Sequence, residues 1–335
     1  MPQVPITPPI ENTGGKALRV NGKHIEYGIG DDFQTVVLRG VNVGDLYHFS
    51  KFDIDPPDFS YIKNTLNANV VRIAVHPNFW KNEKQRTLAC LKENVRNALA
   101  AGLFVIVDYH TIGYPNGYAQ KVPRNEIIAY ISDFSLARNF WDTISREIFD
   151  GRVLYEMWNE PASERYDLSY TQRWNRLKPS WEELIAIIRR NGSKNIIIAG
   201  GDIWTHELQG IRDNLLADSN TVYAWHMYAN EHDNLPAEWE LMLGGLYNVR
   251  PVIVTEWGFS DEPGDEVFDP APPNSGFAVP FVEQFLKGKN LHSTAWGYDP
   301  FYGPNMLVDG NYRRLNRYGQ FVMAYLNSSE QIFAD

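Results

Sequence analysis

Two glutamates each follow an apolar, β-branched run directly: Glu160 in LYEMWNEP and Glu256 in VIVTEWG. A carboxylate pair that approaches one substrate from opposite sides has a specific use. In glycoside cleavage one carboxylic acid protonates the leaving oxygen while a second carboxylate attacks the sugar carbon or activates water. Either glutamate alone reads as a solvated residue at a strand end. Together, with polar companions at neighbouring strand ends, they read as a site. Those companions are Arg72 in VVRIAV, Asp108 and His110 in VDYH, Asn159 in WNEP, His226 and Tyr228 in AWHMY, and Trp296 in TAWG. Several histidines invite the thought of zinc, but neither HExxH nor a close His-x-His spacing occurs, so no metal is expected.

The elements that must position these groups form one long alternation of short β-branched segments and longer helical ones. Strands are expected over 35–42, 70–74, 103–109, 153–158, 195–199, 221–227, 252–255 and 293–296. Runs such as LFVIV at 103–107 and NIIIA at 195–199 are apolar throughout, as in parallel strands covered on both faces. Helical stripes recur at Leu88, Leu91, Val95 and Ala98, and at Trp181, Leu184, Ile185 and Ile188. Asp58 and Ser135 stand at expected helix caps. Eight strands, each followed by helical sequence, point to an α/β chain folded as a (β/α)8 barrel, the TIM-barrel architecture, whose catalytic groups come from the C-terminal strand ends. Strands four and seven face one another across such a barrel, and they are the two that end near Glu160 and Glu256. Before the barrel, LRVNGKHIEYGIG at 18–30 carries an Asn-Gly turn between alternating residues and predicts a β-hairpin at the barrel floor. The expected organisation is one domain: an extended proline-rich leader at 1–16, the hairpin at 17–34 and the barrel at 35–326. The acidic, proline-rich stretch 261–275 reads as an insertion after strand seven.

Composition narrows the function classes. The chain has 335 residues with 44% hydrophobic and 21% charged, which is globular. Its formal charge of −10 is the wrong sign for gripping phosphate backbones, so no nucleic-acid partner is expected. No apolar run approaches membrane-helix length. The single cysteine, Cys90, excludes a disulfide framework and falls in an apolar helix, as a small buried hydrophobe. Ten Trp, 18 Tyr and 17 Phe exceed what a core needs and suit a surface that stacks on flat, hydroxylated ligands.

These residues in order resemble glycoside hydrolase family 5, the cellulase-type retaining β-glycanases on a (β/α)8 barrel. The likeness runs from LRGVN at 38–42 to AWGYDP at 295–300. The family's strand-end framework falls here on Arg72, His110, Asn159, Glu160, His226, Tyr228, Glu256 and Trp296, with no position missing. WNEP is shared with related barrels; all eight in order is the stronger signal. The resemblance implies Glu160 as acid/base and Glu256 as nucleophile. The acid must hold its proton near neutral pH, which burial or the neighbouring anion achieves. Arg72 is the cation to keep the nucleophile ionised. Asn159 is expected to hydrogen-bond the sugar's 2-hydroxyl, and His110, His226 and Tyr228 to orient the glutamates. Trp296 is expected as the floor under the sugar being cleaved, with Trp80, Tyr114, Trp204 and Tyr298 lining neighbouring subsites. Glu156, deeper in the barrel, is expected to be paired structurally.

The implied activity is an endo-acting, retaining β-1,4-glucanase without cofactor, acting on a polysaccharide or oligosaccharide. An endo-β-1,4-mannanase or a mixed enzyme on the same framework stays open, with 111–120 and 299–306 as the segments that decide. A non-catalytic glycan-binding barrel is the alternative of another class, and the presence of both glutamates argues against it. A monomer outside the cell is the expected form.

Overall fold

The computed structural model of the chain describes residues 7–115, 130–229, 235–260, 277–328 and 330–334. Eight parallel strands close into a barrel: β4 (Arg39–Asn42), β5 (Val70–Val75), β6 (Phe104–Tyr109), β7 (Val153–Glu156), β8 (Ile197–Gly200), β9 (Thr221–Tyr228), β10 (Val252–Gly258) and β11 (His292–Ala295), with β11 paired back to β4. Every residue of these strands is buried. That accounts for their unbroken apolar runs, since helices cover one face and the barrel interior the other.

Ahead of the barrel, β1 (Ala17–Asn21), β2 (His24–Ile29) and β3 (Asp32–Val36) form an antiparallel sheet. The expected hairpin is its first two strands. The strand expected over 35–42 is two strands: Thr35 and Val36 pair back onto β2, and the chain enters the barrel only at Arg39. At Gly40 an added Cβ would stand 1.7 Å from the Val70 carbonyl oxygen, so only glycine lets β4 and β5 approach there. Leu18, Ile25, Tyr27 and Val36 pack against Phe104, Ile106, Leu154 and Ile198 inside the barrel. Tyr27 meets Phe104 edge-on, with ring centroids 4.9 Å apart. The floor is thereby sealed, and the C-terminal strand ends are left to face a ligand.

The helices are α1 (Leu46–Ser50), α2 (Phe59–Asn64), α3 (Pro77–Ala100), α4 (Phe134–Glu147), α5 (Tyr170–Arg190), α6 (Asp202–Thr205), α7 (Pro236–Leu243), α8 (Ala278–Pro280), which runs into a π-helical stretch Phe281–Lys287, and α9 (Arg317–Leu326). Leu91, Val95 and Ala98 of α3, and Trp181, Leu184, Ile185 and Ile188 of α5, are buried against the barrel. Asp58 caps α2 as expected. The cap of α4 is Asp133 rather than Ser135: Asp133 Oδ1 accepts the N–H groups of Ser135 and Leu136 and the Ser135 hydroxyl. A carboxylate two residues upstream meets the free N–H groups of the first turn better than a hydroxyl already inside it. Cys90 packs half-buried on α3, where burial pushes its thiol up to about 12 and keeps it inert. No helix among the described residues is long and apolar enough to cross a membrane. The stretch 261–275 and residues 116–120 of the third loop lie outside the described residues.

Candidate active site

Arg72 stands at the centre of the strand ends, its side chain fully buried. Strand alternation on β5 aims it into the barrel, and register puts it beside Asn42 of β4. Its Nε donates to Glu156 at 2.5 Å, Nη1 to Glu256 and Asn42 at 2.9 Å each, and Nη2 to Asn159 at 2.7 Å and Asp108 at 3.0 Å. Only a planar fork of five donors serves so many acceptors at once. Burial opposes the charge, but Asp108, Glu156 and Glu256 outweigh it and raise the pKa further, so the guanidinium stays ionised.

Glu256 owes its aim to a break in register. On β10, Val254 pairs with Trp225 of β9, yet Glu256 pairs with His226, so Thr255 is an extra residue on the strand. Such a bulge re-aims the side chain that follows it. The orphaned carbonyl of Thr255 is not wasted: Asn42 Nδ2 donates to it at 2.9 Å and Thr294 Oγ1 at 2.6 Å. The Glu256 carboxylate then accepts from Arg72 on Oε1 and from the Tyr228 hydroxyl on Oε2 at 2.7 Å.

Glu160 lies four residues past the end of β7, which stops at Glu156 rather than at 158. Backbone bonds fix it: its N–H donates to the Thr111 carbonyl and its carbonyl accepts from Gly113 N–H, both at 3.0 Å. His226 Nδ1 donates to Glu160 Oε1 at 2.9 Å, and Nε2 reaches Thr255 Oγ1 at 3.0 Å. Burial holds Glu160 above the usual carboxylate range and the charge of Glu256 adds to it, while the bond from His226 opposes without cancelling them. Burial works against a charge on His226, but Glu256, Glu156 and Glu160 together push its pKa up to about 10. One oxygen of Glu160, one nitrogen of His226 and one oxygen of Glu256 all lie within 4.8 Å of one another.

Deeper down, burial drives Asp108 well above its ordinary range, with Glu156 and Glu256 adding to the effect and Arg72 opposing it. Glu156 goes the other way: burial would raise it, and Arg72 and His226 hold it low. His110 is kept neutral by burial and by the nearby His76, Arg72 and His226. Its Nδ1 lies 2.6 Å from Asp108 Oδ2, so Asp108 holds the ring in place. Asn159 spends Oδ1 on Arg72, which leaves its Nδ2 as the donor for a ligand.

The structure thus gathers Arg72, His110, Asn159, Glu160, His226, Tyr228 and Glu256 into one cluster, with Trp296 stacked beside His110 at 5.4 Å between ring centroids. It parts them from three of the four outer aromatics. Trp80 is 1% exposed, meets Phe140 edge-on at 4.7 Å and bonds Asn139. Tyr114 and Tyr298 are also core residues, the Tyr298 hydroxyl bonding the Tyr312 carbonyl. In each, an aromatic body finds more surface to bury inward, toward the helices and loops, than a cleft rim offers. Trp204 alone stays partly exposed, on a segment where Ile203, Trp204 and Thr205 all have φ between 52° and 63°. That strained turn is tied to WNEP by Trp204 N–H on the Pro161 carbonyl and Thr205 Oγ1 on the Asn159 carbonyl. The sequence reading missed Asn42, Thr255, His76 and Tyr130. Asn42 directly precedes a barrel turn and was legible as a strand-end polar group; the bulge at Thr255 leaves no local signal.

The chain is similar to known proteins along most of its length. The family profile for Cellulase (glycosyl hydrolase family 5) matches residues 33–301. Endoglucanase A of Evansella cellulosilytica is 28% identical over 238 residues, 69% of this chain and 43% of that protein. An endoglucanase of Clostridium saccharobutylicum is 26% identical over 294 residues, 84% of this chain and 57% of that one. The chain spans about half the length of these relatives. Among solved structures, a β-glucanase of Saccharophagus degradans in complex with cellotetraose superposes with a TM-score of 0.80 at 24% identity, covering 97% of this chain and 98% of that one. The catalytic domain of Thermobifida fusca endoglucanase Cel5A gives 0.73 at 22%, covering 93% and 97%. At those identities the superpositions speak for the fold.

Proposed function

The chain belongs to glycosyl hydrolase family 5, and from that membership we infer an endo-acting β-1,4-glucanase that cleaves with retention of configuration. The carrying observation is that Glu160 and Glu256 bring carboxylate oxygens within 4.8 Å of each other. Retaining pairs stand about 5–5.5 Å apart, and inverting pairs leave about 6.5–9.5 Å for a water. The endoglucanase relatives support the β-1,4-glucan as substrate.

In this reading Glu256 attacks the anomeric carbon while Glu160, whose pKa burial raises, transfers its proton to the departing glycosidic oxygen. The C–O bond breaks, a covalent glycosyl ester forms on Glu256, and Glu160 is left as a carboxylate. A water then enters, Glu160 removes its proton, and the resulting hydroxyl displaces Glu256 from the sugar. Two inversions restore the original configuration. Arg72 and Tyr228 take up the two oxygens of Glu256, which fixes the attack trajectory. His226 reaches Glu160 at 2.9 Å and Glu256 at 3.7 Å, so its positive charge tempers the repulsion when both are ionised. Asn159 Nδ2 offers a donor to the sugar's 2-hydroxyl, a bond that strengthens as positive charge develops. Trp296 supplies the floor, and Trp204 an outer stacking surface.

The polymer is too large to cross a membrane, which supports a site of action outside the cell. We read the chain, 1–335, as a single catalytic unit, acting as a monomer. The test is hydrolysis of carboxymethylcellulose, lichenan, galactomannan and xylan side by side, with the product anomer followed by NMR. Release of β-anomer from β-1,4-glucan supports the reading. Preference for galactomannan, or initial release of α-anomer, defeats it.

A further inference from the structure

The segment ahead of α4 brings Tyr130 back to the strand ends, and Thr111 holds it there. The Thr111 carbonyl accepts the N–H of Glu160, while its Oγ1 donates to the carbonyl of Ile131 at 3.1 Å. One residue therefore laces the backbone beside Tyr130 to the backbone of the candidate acid. The Tyr130 ring lies 5.5 Å from that of His76 and 6.0 Å from that of His110, which in turn lies parallel to Trp296. The side chain is partly exposed, and among the described residues no group hydrogen-bonds its hydroxyl. Burial, followed by the charges of Glu160, Glu256 and Asp108, raises the pKa of that hydroxyl. It stays protonated, and it lies within electrostatic reach of both glutamates. The ring beside it is unfinished too: His76 Nδ1 is engaged by Asp45 at 2.8 Å, and its buried Nε2 has no partner among the described residues.

We propose that Tyr130 is a substrate-contacting residue whose hydroxyl hydrogen-bonds the sugar held over Trp296, between Glu160 and Glu256. The proposal rests on the reading of this site as a glycoside hydrolase. A phenol that no group among the described residues engages, beside the rings of His76 and His110 and within electrostatic reach of two carboxylates, has spare donor and acceptor capacity, and a sugar ring presents both kinds of partner. Because the contact is with the ring that distorts during cleavage, it acts in the transition state more than in the ground state.

The test compares the wild type with Tyr130→Phe on two substrates, cellopentaose and 2,4-dinitrophenyl β-cellobioside, together with thermal unfolding and the pH profile. The second substrate keeps the sugar that is cleaved but needs no acid to expel its leaving group. The expected result is a loss in kcat/KM of about tenfold on both, with an unchanged melting temperature and unmoved pH limbs. Activity within twofold of wild type on both substrates overturns the contact. So does a loss confined to cellopentaose with a shifted alkaline limb, which would mean that Tyr130 acts through Glu160. A wild type inactive on both substrates would instead defeat the functional reading itself, before any variant is made.

Discussion

Arg72 donates to Glu156 at 2.5 Å, and neither side chain has any exposed surface. The pair locks the guanidinium from below, so that its remaining donors point up at Glu256, Asn42 and Asn159. A buried arginine facing three carboxylates cannot be removed without leaving uncompensated charge. Arg72→Met should therefore cost stability of about 3–5 kcal/mol as well as activity. Arg72→Lys keeps the charge but loses the fork. It should fold better than Arg72→Met yet turn over at least about a hundredfold more slowly than wild type, since a misplaced nucleophile costs on that order. Denaturant unfolding and kcat of the two variants check this; near-wild-type kcat in Arg72→Lys would limit Arg72 to a structural role.

Much of this centre was legible because strand-end position is a linear property. Arg72, Asp108, Glu156 and Glu256 alternate or terminate on strands that the apolar runs announce. Glu160 was legible from WNEP, although its strand ends four residues earlier than the residue itself. What stayed hidden depends on contacts distant in sequence. Trp80 looks the same in sequence whether its indole faces a sugar or Phe140. Tyr130 comes beside His76 and His110 next to a bond from Thr111 to its neighbour, across 20 residues. The bulge at Thr255 is a disagreement between two strands, which neither strand alone contains.

Glu256→Ala should abolish turnover while oligosaccharide binding remains measurable by calorimetry. The cavity left at Oε1 and Oε2 has room for a small external anion, with Arg72 and Tyr228 still in place to receive it. Azide should then partly restore cleavage of an activated aryl cellobioside and give the inverted glycosyl azide. Substantial unaided hydrolysis by Glu256→Ala would remove Glu256 as nucleophile.

The elevated pKa of His226 carries a stability signature with a definite sign. Its folded value of about 10 stands above the ordinary 6.5, so the folded state binds this proton more tightly than the unfolded chain. The contribution, on the order of a few kcal/mol, is complete below about pH 6.5 and is lost as pH rises through about 10. Melting temperatures from pH 6 to pH 10 should fall more steeply for wild type than for His226→Gln. Parallel curves would mean that the ring is neutral in the folded protein. The raised pKa of Glu160 acts in the same direction on catalysis: kcat/KM should fall on the alkaline side as the acid loses its proton.

Trp296 tests whether an aromatic residue can be both packing and floor. It is 6% exposed, its Nε1 donates to the Gly303 carbonyl at 3.2 Å, and it lies parallel to His110 within 5°. So much burial means that Trp296→Ala must destabilise the fold, by about 3–5 kcal/mol, whatever its role in binding. A lowered melting temperature therefore decides nothing, and the informative quantity is kcat measured well below the transition. If the indole supports the distorted sugar as charge develops, Trp296→Ala lowers kcat and raises KM together, because the contact gains strength in the transition state. Trp204, partly exposed beside Pro161, supplies the contrast: its loss should raise KM on long chains and leave kcat on short substrates nearly alone. Trp80→Ala should lower stability as much as Trp296→Ala does, with both kinetic constants intact at low temperature. If Trp296→Ala matched Trp80→Ala in all three measurements, its indole would be core alone, and the floor of the site would have to be sought among the rings of His110 and Tyr302, whose centroids lie 5.4 and 6.0 Å from that of Trp296.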